Sequence, residues 1–322
     1  MNKRVLNTFF LVVAGIAFLG CETTESARET AVMEPLDRSK RPESGPAPTA
    51  AFPDYETVTL SNGLTLYIIA SERQPTVTYR LMFRSGGLFD GNKPGLSELM
   101  ANMLDRGVEG KSAFELASEI DFIGAGVSAE SSSDFTAVTV SGLSKYSSEL
   151  QAILKEVVLT PTFPQEELDK LKQLTLSNLA SAKKAPSDLA GKLRRKLVYG
   201  EGAYGMYQTE ESVAAVTRDD LIAYHKAHFK PNNASLAIVG DVEPKKVSKE
   251  IEALFADWEK GDLEPLPDYE FPKVEGVTVH IVDRPESVQS VILVAQQSFA
   301  RNHPDLRQMR VVMSVLGGGS FS

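Results

Sequence analysis

The spacing of apolar residues along this chain switches from one period to another, and each switch predicts an element. Val58-Thr59-Leu60 and Leu64-Thr65-Leu66-Tyr67-Ile68-Ile69 are β-rich runs on either side of Ser61-Asn62-Gly63, and an Asn-Gly pair between two such runs is the strongest short hairpin signal. A third strand is predicted at 77–83. From Pro94 the spacing turns helical, with Leu96, Leu99, Met100, Met103 and Leu104 forming one apolar stripe. A second helix is predicted at 112–123, opened by Ser112 and Glu115 as a capping box. Residues 127–131 and 135–141 flank Ser132-Ser133-Asp134 and predict another hairpin. Helices are then predicted at 145–159, 164–184, 186–199 and 218–229, a short buried strand at 234–239, and a further helix at 244–258. Strands followed by clustered helices imply an α+β fold, with helices packed on one face of a largely antiparallel sheet.

The pattern then breaks and begins again. Residues 259–275 carry Pro265, Pro267 and Pro272 among acidic residues and read as a linker. A shift of 210 residues lays Pro94 on Pro304, Leu96 on Leu306, Met103 on Met313 and Gly107 on Gly317. Residues 277–282 and 288–295 take the places of early strands. The order of strand, strand, helix and glycine is therefore the same twice, which predicts a duplicated domain whose second copy is truncated. The expected organisation is a signal peptide at 1–20, a flexible tether at 21–51, a first domain at 52–258, the linker at 259–275, and the start of a homologous second domain at 276–322.

The N-terminus adds an address to this picture. Lys3 and Arg4 precede an apolar stretch from Phe9 to Leu19, and Leu19-Gly20-Cys21 resembles the cleavage site of a bacterial lipoprotein signal peptide. Cys21, the only cysteine, is then the lipidation site, and a transmembrane helix is the weaker reading because the apolar run falls short of the ~20 residues a span needs. Residues 22–52, rich in Ser, Thr and Pro with no apolar period, read as the tether. The expectation is a lipid-anchored protein of the bacterial envelope facing the periplasm, at the outer membrane ahead of the inner, whose fold relies on no disulfide. With 34 basic against 43 acidic residues the formal net charge is −9. No Lys/Arg stripe with interleaved aromatics offsets it, so a nucleic-acid partner is not expected.

Several catalytic patterns fail on inspection. Gly200-Glu201-Gly202-Ala203-Tyr204-Gly205 fits G-x-G-x-x-G, but it follows a helix, whereas a dinucleotide loop needs a strand before it and a helix after. His225 and His228 share one predicted helix, with His225 on its apolar side, which predicts burial rather than metal ligation. Gly317-Gly318-Gly319-Ser320 lacks the lysine of a P-loop. Without a free cysteine or a Gly-x-Ser-x-Gly elbow, no nucleophile stands out.

What remains is an ordered run of local motifs. Ser61-Asn62-Gly63-Leu64, Arg84-Ser85-Gly86-Gly87, the glycine-headed helix at Gly95 and Phe122-Ile123-Gly124-Ala125 come first; Tyr204-Gly205, Pro231-Asn232-Asn233-Ala234 and Val239-Gly240-Asp241 follow. In this order, from Phe52 to the end, the chain resembles the insulinase/pitrilysin family of inverzincin zinc peptidases. The resemblance implies that the helix from Pro94 corresponds to the family's His-x-x-Glu-His helix. Here those positions hold Glu98, Ala101 and Asn102. The family's third ligand, a glutamate about 76 residues further on, falls at Asn178. One carboxylate and two neutral amides do not make a zinc site, and the methyl group of Ala101 cannot act as a general base. Zinc is expected to be lost and the chain to be inactive by itself, its catalytic positions degenerate. The bland alternative, an amphipathic core helix and nothing more, is compatible with that loss.

In the family, two homologous domains face each other across a chamber, many members pair a zinc-bearing with a zinc-less subunit, and peptide substrates add as a strand to a sheet edge. The matching edge here is Gly126, Val127, Ser128, Ala129, Glu130 and Ser131. An edge merely blunted by Glu130 against aggregation is the competing reading. The resemblance thus implies a zinc-less subunit that forms half of a peptide-binding chamber and supports a zinc-bearing homologous partner in proteolysis. An envelope scaffold or binding lipoprotein without a peptidase partner is the alternative. A stand-alone metallopeptidase using ligands such as Glu98 and Asp105 ranks third.

Overall fold

Alternation of buried and open side chains along five strands sets the two faces of one sheet. The computed structural model describes residues 45, 51–273, 276–285 and 287–318, and the folded unit begins at Pro53. Strands β1 (Glu56–Thr59), β2 (Thr65–Ala70), β3 (Thr76–Phe83), β6 (Gly126–Ser131), β7 (Thr136–Leu143) and β8 (Ala234–Gly240) form a six-stranded sheet in the order β1-β2-β8-β3-β7-β6. A separate two-stranded piece joins β4 (Gly107–Val108) to β5 (Lys111–Ser112). Only β2 and β8 run parallel; every other neighbour is antiparallel. The fold is mixed α/β with a mostly antiparallel sheet.

Register turns alternation into a core. Leu66, Leu236, Leu81 and Val138 lie side by side across four strands, and Ile68, Ile238, Tyr79 and Val140 form the next row. All eight are buried, because side chains two residues apart share a face of the pleat. Helices α1 (Leu96–Met103), α2 (Ala113–Phe122), α3 (Ser147–Leu159), α4 (Gln165–Ala182), α5 (Pro186–Tyr199), α6 (Glu210–Ala215), α7 (Arg218–His228) and α8 (Pro244–Leu254) precede or follow these strands. Leu99, Met100 and Met103 of α1, Leu150, Ile153, Leu154 and Val157 of α3, and Val247 and Ile251 of α8 join the same buried cluster. Asn62 ties the first hairpin to the end of this layer. Its amide donates to the carbonyls of Phe255 (3.0 Å) and Trp258 (3.3 Å), while Gly63 takes the left-handed turn (φ 86°) that a side chain would resist.

Local chemistry placed most elements correctly. The capping box forms as expected, with Glu115 N–H donating to Ser112 Oγ (3.3 Å) and Ser112 N–H to Glu115 Oε2 (2.8 Å). Helix α6 and the β4–β5 pair are additions, too short to show a period. Past residue 275 the expected elements form in part. Helix α9 (Leu306–Met313) stands at an offset of 210 from α1, residue for residue. The strands expected at 277–282 and 288–295 are absent, and Val277, Ile281, Val288, Ile292 and Val294 are exposed. The reason is pairing. Among the described residues no neighbouring strand lies beside 277–282 or 288–295, and a lone strand leaves its N–H and C=O groups without partners.

Candidate functional site

The start of α1 is built by Asp90. Its Oδ2 accepts from Gly95 N–H (2.7 Å) and its Oδ1 from Ser97 N–H (2.8 Å), which satisfies N–H groups that a helix start leaves unpaired. Burial pushes the Asp90 carboxyl up, against those bonds. Gly95 is left-handed (φ 97°), a conformation that strains any larger residue, and a Cβ there would also stand 2.6 Å from Gln208 Nε2 and displace that side chain.

Beyond this cap, Glu98 and Asn102 sit one turn apart on an exposed face, and Ala101 is fully buried beside them. The Asn102 amide is spent on its own helix, donating to Glu98 O at 2.8 Å. Partial desolvation, helped by the nearby Asp90, pushes the Glu98 carboxyl up. Asn178 is exposed on α4, and α4 packs against α1. The structure therefore brings the two helices together, but among the described residues no hydrogen bond joins Asn178 to Glu98 or Asn102. One carboxylate and two amides do not fit a zinc ion, which calls for imidazole, thiolate or carboxylate donors. No three His, Cys, Asp or Glu side chains converge among the described residues. Cys21 lies outside the described residues. Among them no helix is long and apolar enough to cross a membrane.

Gly126 to Ser131 form β6, one of the two edge strands of the sheet, paired among the described residues with β7 alone. Val127 and Ala129 turn toward the core, while Gly126, Ser128 and Glu130 are exposed. Glu130 does not guard the edge. Its carboxylate reaches back across β7 to pair with Arg80 of β3, whose other nitrogen donates to Thr139 Oγ1 at 3.1 Å. Helix α1 packs on this strand, so the open edge and the face of Glu98 are neighbours.

A cavity of about 140 Å³ opens where they meet, lined by Gly95, Ser97, Glu98, Ser132, Arg195 and Met206, among others. Arg195 bridges its walls, donating from Nε to Tyr204 O (2.7 Å) and from Nη2 to Ser133 Oγ (3.3 Å). The Tyr204 hydroxyl donates to Asp134 Oδ1 at 2.6 Å; burial and then that carboxylate push it up to about 12, so it stays a donor near neutral pH. The sequence signalled Tyr204 only as part of a motif and Arg195 only within the basic run Arg194-Arg195-Lys196, which reads as a solvated helix face, while Asp90 and Gln208 stood out in no motif.

A larger cavity, about 350 Å³, lies elsewhere, lined by Lys155, His225, Lys226, Phe229, Lys230 and Trp258, among others. It opens where α3, α7 and α8 end, so its lysines complement the negative helix termini. His225 is largely buried as expected, its Nε2 2.8 Å from Val158 O. Burial, helped by Lys230, lowers its pKa to about 4, and burial also lowers that of His228. A neutral histidine in the fold takes up its proton only on unfolding. Stability should therefore be full above the ordinary value of 6.5 and fall as pH drops toward 4, by on the order of 3 kcal/mol. Thermal melts between pH 7 and 4.5 should show this loss, with a shallower slope in His225→Gln; an unchanged slope in that variant would remove His225 as the cause.

Comparison with known proteins gives this geometry a context. Residues 66–207 match the family profile "Insulinase (Peptidase family M16)", and residues 215–322 match "Peptidase M16 inactive domain". The chain is 26% identical over 231 residues to an "Uncharacterized zinc protease YmxG" of Bacillus subtilis, covering 71% of this chain and 55% of that protein. It is 27% identical over 243 residues to a "Non-peptidase homolog YmxG" of Helicobacter pylori, covering 74% and 56%. A solved Peptidase M16 inactive domain from Pseudomonas fluorescens superposes with a TM-score of 0.64 at 26% identity, over 68% of this chain and 55% of that one. The chain thus spans little more than half the length of these relatives.

Proposed function

We propose, from its successive M16-type segments, that this chain is a zinc-less peptide-binding subunit of an envelope peptidase of that family. It forms half of a chamber whose chemistry a homologous zinc-bearing subunit supplies. The observation that carries the reading is one juxtaposition. An open sheet edge at Gly126–Ser131 lies against a helix whose Glu98, Ala101 and Asn102, with Asn178 on the neighbouring helix, fit neither zinc nor a general base. Binding by strand addition needs only main-chain N–H and C=O groups, so it survives without a metal. The similarity to a protein named a non-peptidase homologue supports the same reading. Lipidation at Cys21 would hold the assembly at the envelope membrane.

The test combines metal analysis with an edge block. The purified chain is expected to carry no stoichiometric zinc, to co-purify with a His-x-x-Glu-His homologue from the same cell, and to bind extended peptides. Of Ser128→Pro and Ala129→Pro, one removes an N–H that points outward, because alternate residues of an edge strand face away from the sheet. That variant should lose peptide binding and keep its melting temperature. Tight zinc binding would overturn the zinc-less reading, and peptide binding untouched by either proline would overturn the edge as the site. Peptide binding with no homologue retained would leave a scaffold lipoprotein instead. Cys21→Ser should release the chain from the membrane fraction.

A further inference from the structure

The stretch after the first unit is not loose around Tyr269. Pro272 and Tyr269 lie against Gly200 and Gly202, where a Cβ would stand 2.8 Å from Pro272 Cγ and 2.2 Å from a Tyr269 ring carbon. The two glycines clear a notch, and the linker fills it. Tyr269 meets Tyr204 edge-on, with centroids 5.0 Å apart, and Phe271 at 4.8 Å; Phe271 stacks on Tyr204 at 6.1 Å and reaches Tyr199 at 6.0 Å. Gln297 fastens the outer side, donating to Pro272 O (2.7 Å) and Val198 O (3.1 Å). Edge-to-face and offset rings of this kind hold a defined geometry as well as burying area.

Tyr204 passes this contact on. Its hydroxyl holds Asp134, its carbonyl holds Arg195, and Arg195 holds Ser133. Ser133 and Asp134 form the turn that closes the open edge strand. That turn is itself bonded to the glycine loop before α1, with Gly87 N–H donating to Ser132 O (2.9 Å) and Leu88 N–H to Ser133 O (3.0 Å).

We propose that Tyr269, Phe271 and Pro272 act as a latch: docked in the Gly200–Gly202 notch, they position the Tyr204 loop and, through Arg195 and Asp134, the end of the peptide edge. Tyr204 and Arg195 are positioning residues in this scheme. The linker to the second repeat then sets how well the first unit presents its edge, so displacement of whatever follows residue 273 reaches the peptide site. The part that concerns peptide rests on the preceding reading; the latch does not.

The experiment uses the full chain with Tyr269→Ala/Phe271→Ala, and Gly202→Ala, which blocks the notch from its other wall. Neither Tyr269 nor Phe271 belongs to the buried core cluster, so the melting temperature should barely move. Amide hydrogen exchange at Gly87, Leu88, Ser132, Gly205 and Met206 should quicken by about tenfold in both variants, as local opening does, with core strands unchanged. Quicker exchange confined to 264–273, or spread evenly over the unit, would overturn the latch. An extended peptide that binds the parent chain should bind both variants about tenfold more weakly; equal affinity would overturn the coupling to the edge. A parent chain that binds no peptide would sink the function proposed above, and exchange would still decide the latch.

Discussion

A chain cut after Ala215, at the join between the two matched family profiles, should not fold. The cut removes β8, which lies between β2 and β3, and with it buried Leu236 and Ile238. It also removes Leu221, Tyr224, Phe229, Val247, Ile251, Phe255 and Trp258 from the core cluster. Phe229 stacks on Phe83 at 4.0 Å, and Trp258 meets the same ring edge-on at 6.0 Å. Each such side chain contributes about 1.5–3 kcal/mol by burial, so nine of them outweigh the ~5–15 kcal/mol by which a domain is stable. The edges of β2 and β3 would also be left open inside the sheet. Circular dichroism and thermal melting decide the matter: residues 53–215 should show no cooperative transition, whereas residues 53–260 should show one. A cooperative melt of the shorter piece would mean that β8 is an addition to the fold rather than its centre.

Introducing three donors should create a metal site on the open face of α1. In Glu98→His/Asn102→His/Asn178→Glu, two imidazoles one turn apart on the exposed face of α1 would meet a carboxylate from α4, the donor set of a catalytic zinc site. Only one exposed hydrogen bond to the helix's own backbone is given up. Zinc should then bind one to one with a Kd below about 1 μM, worth ~8 kcal/mol, against no stoichiometric binding expected of the parent chain, and should raise the melting temperature by mass action. A folded triple variant that ignores zinc in calorimetry would show that position 178 does not face α1 within ligand reach. Adding Ala101→Glu is a different matter. That position is fully buried, so a carboxylate there should cost about 2–4 kcal/mol in the metal-free protein. A general base at position 101 thus has no ready room.

The legible parts of this protein share one property: each is a local agreement among neighbouring residues. The Asn62-Gly63 turn, the Ser112–Glu115 box and the apolar stripe of α1 are fixed by residues within about one turn of each other. The order of motifs then carried the family resemblance that residues 66–207 and 215–322 bear out. The spacing also repeated α1 as α9 at 210 residues. The same local logic failed at 277–282 and 288–295, where β-rich composition asked for strands but, among the described residues, no neighbour lies beside them to pair.

By itself the sequence determined the poor donor set at Glu98, Ala101, Asn102 and Asn178, the period of nearly every element, and the second start of the pattern. The tertiary structure alone decided that Glu130 turns back to Arg80 and leaves the edge open, and that Tyr269 reaches the edge through Tyr204, Arg195 and Asp134. The physical reason is distance along the chain. Periodicity and capping act within a few residues, so they are written where they operate. An ion pair that spans 50 positions or a hydroxyl that holds a carboxylate 70 positions away exists only once the sheet has brought its strands side by side.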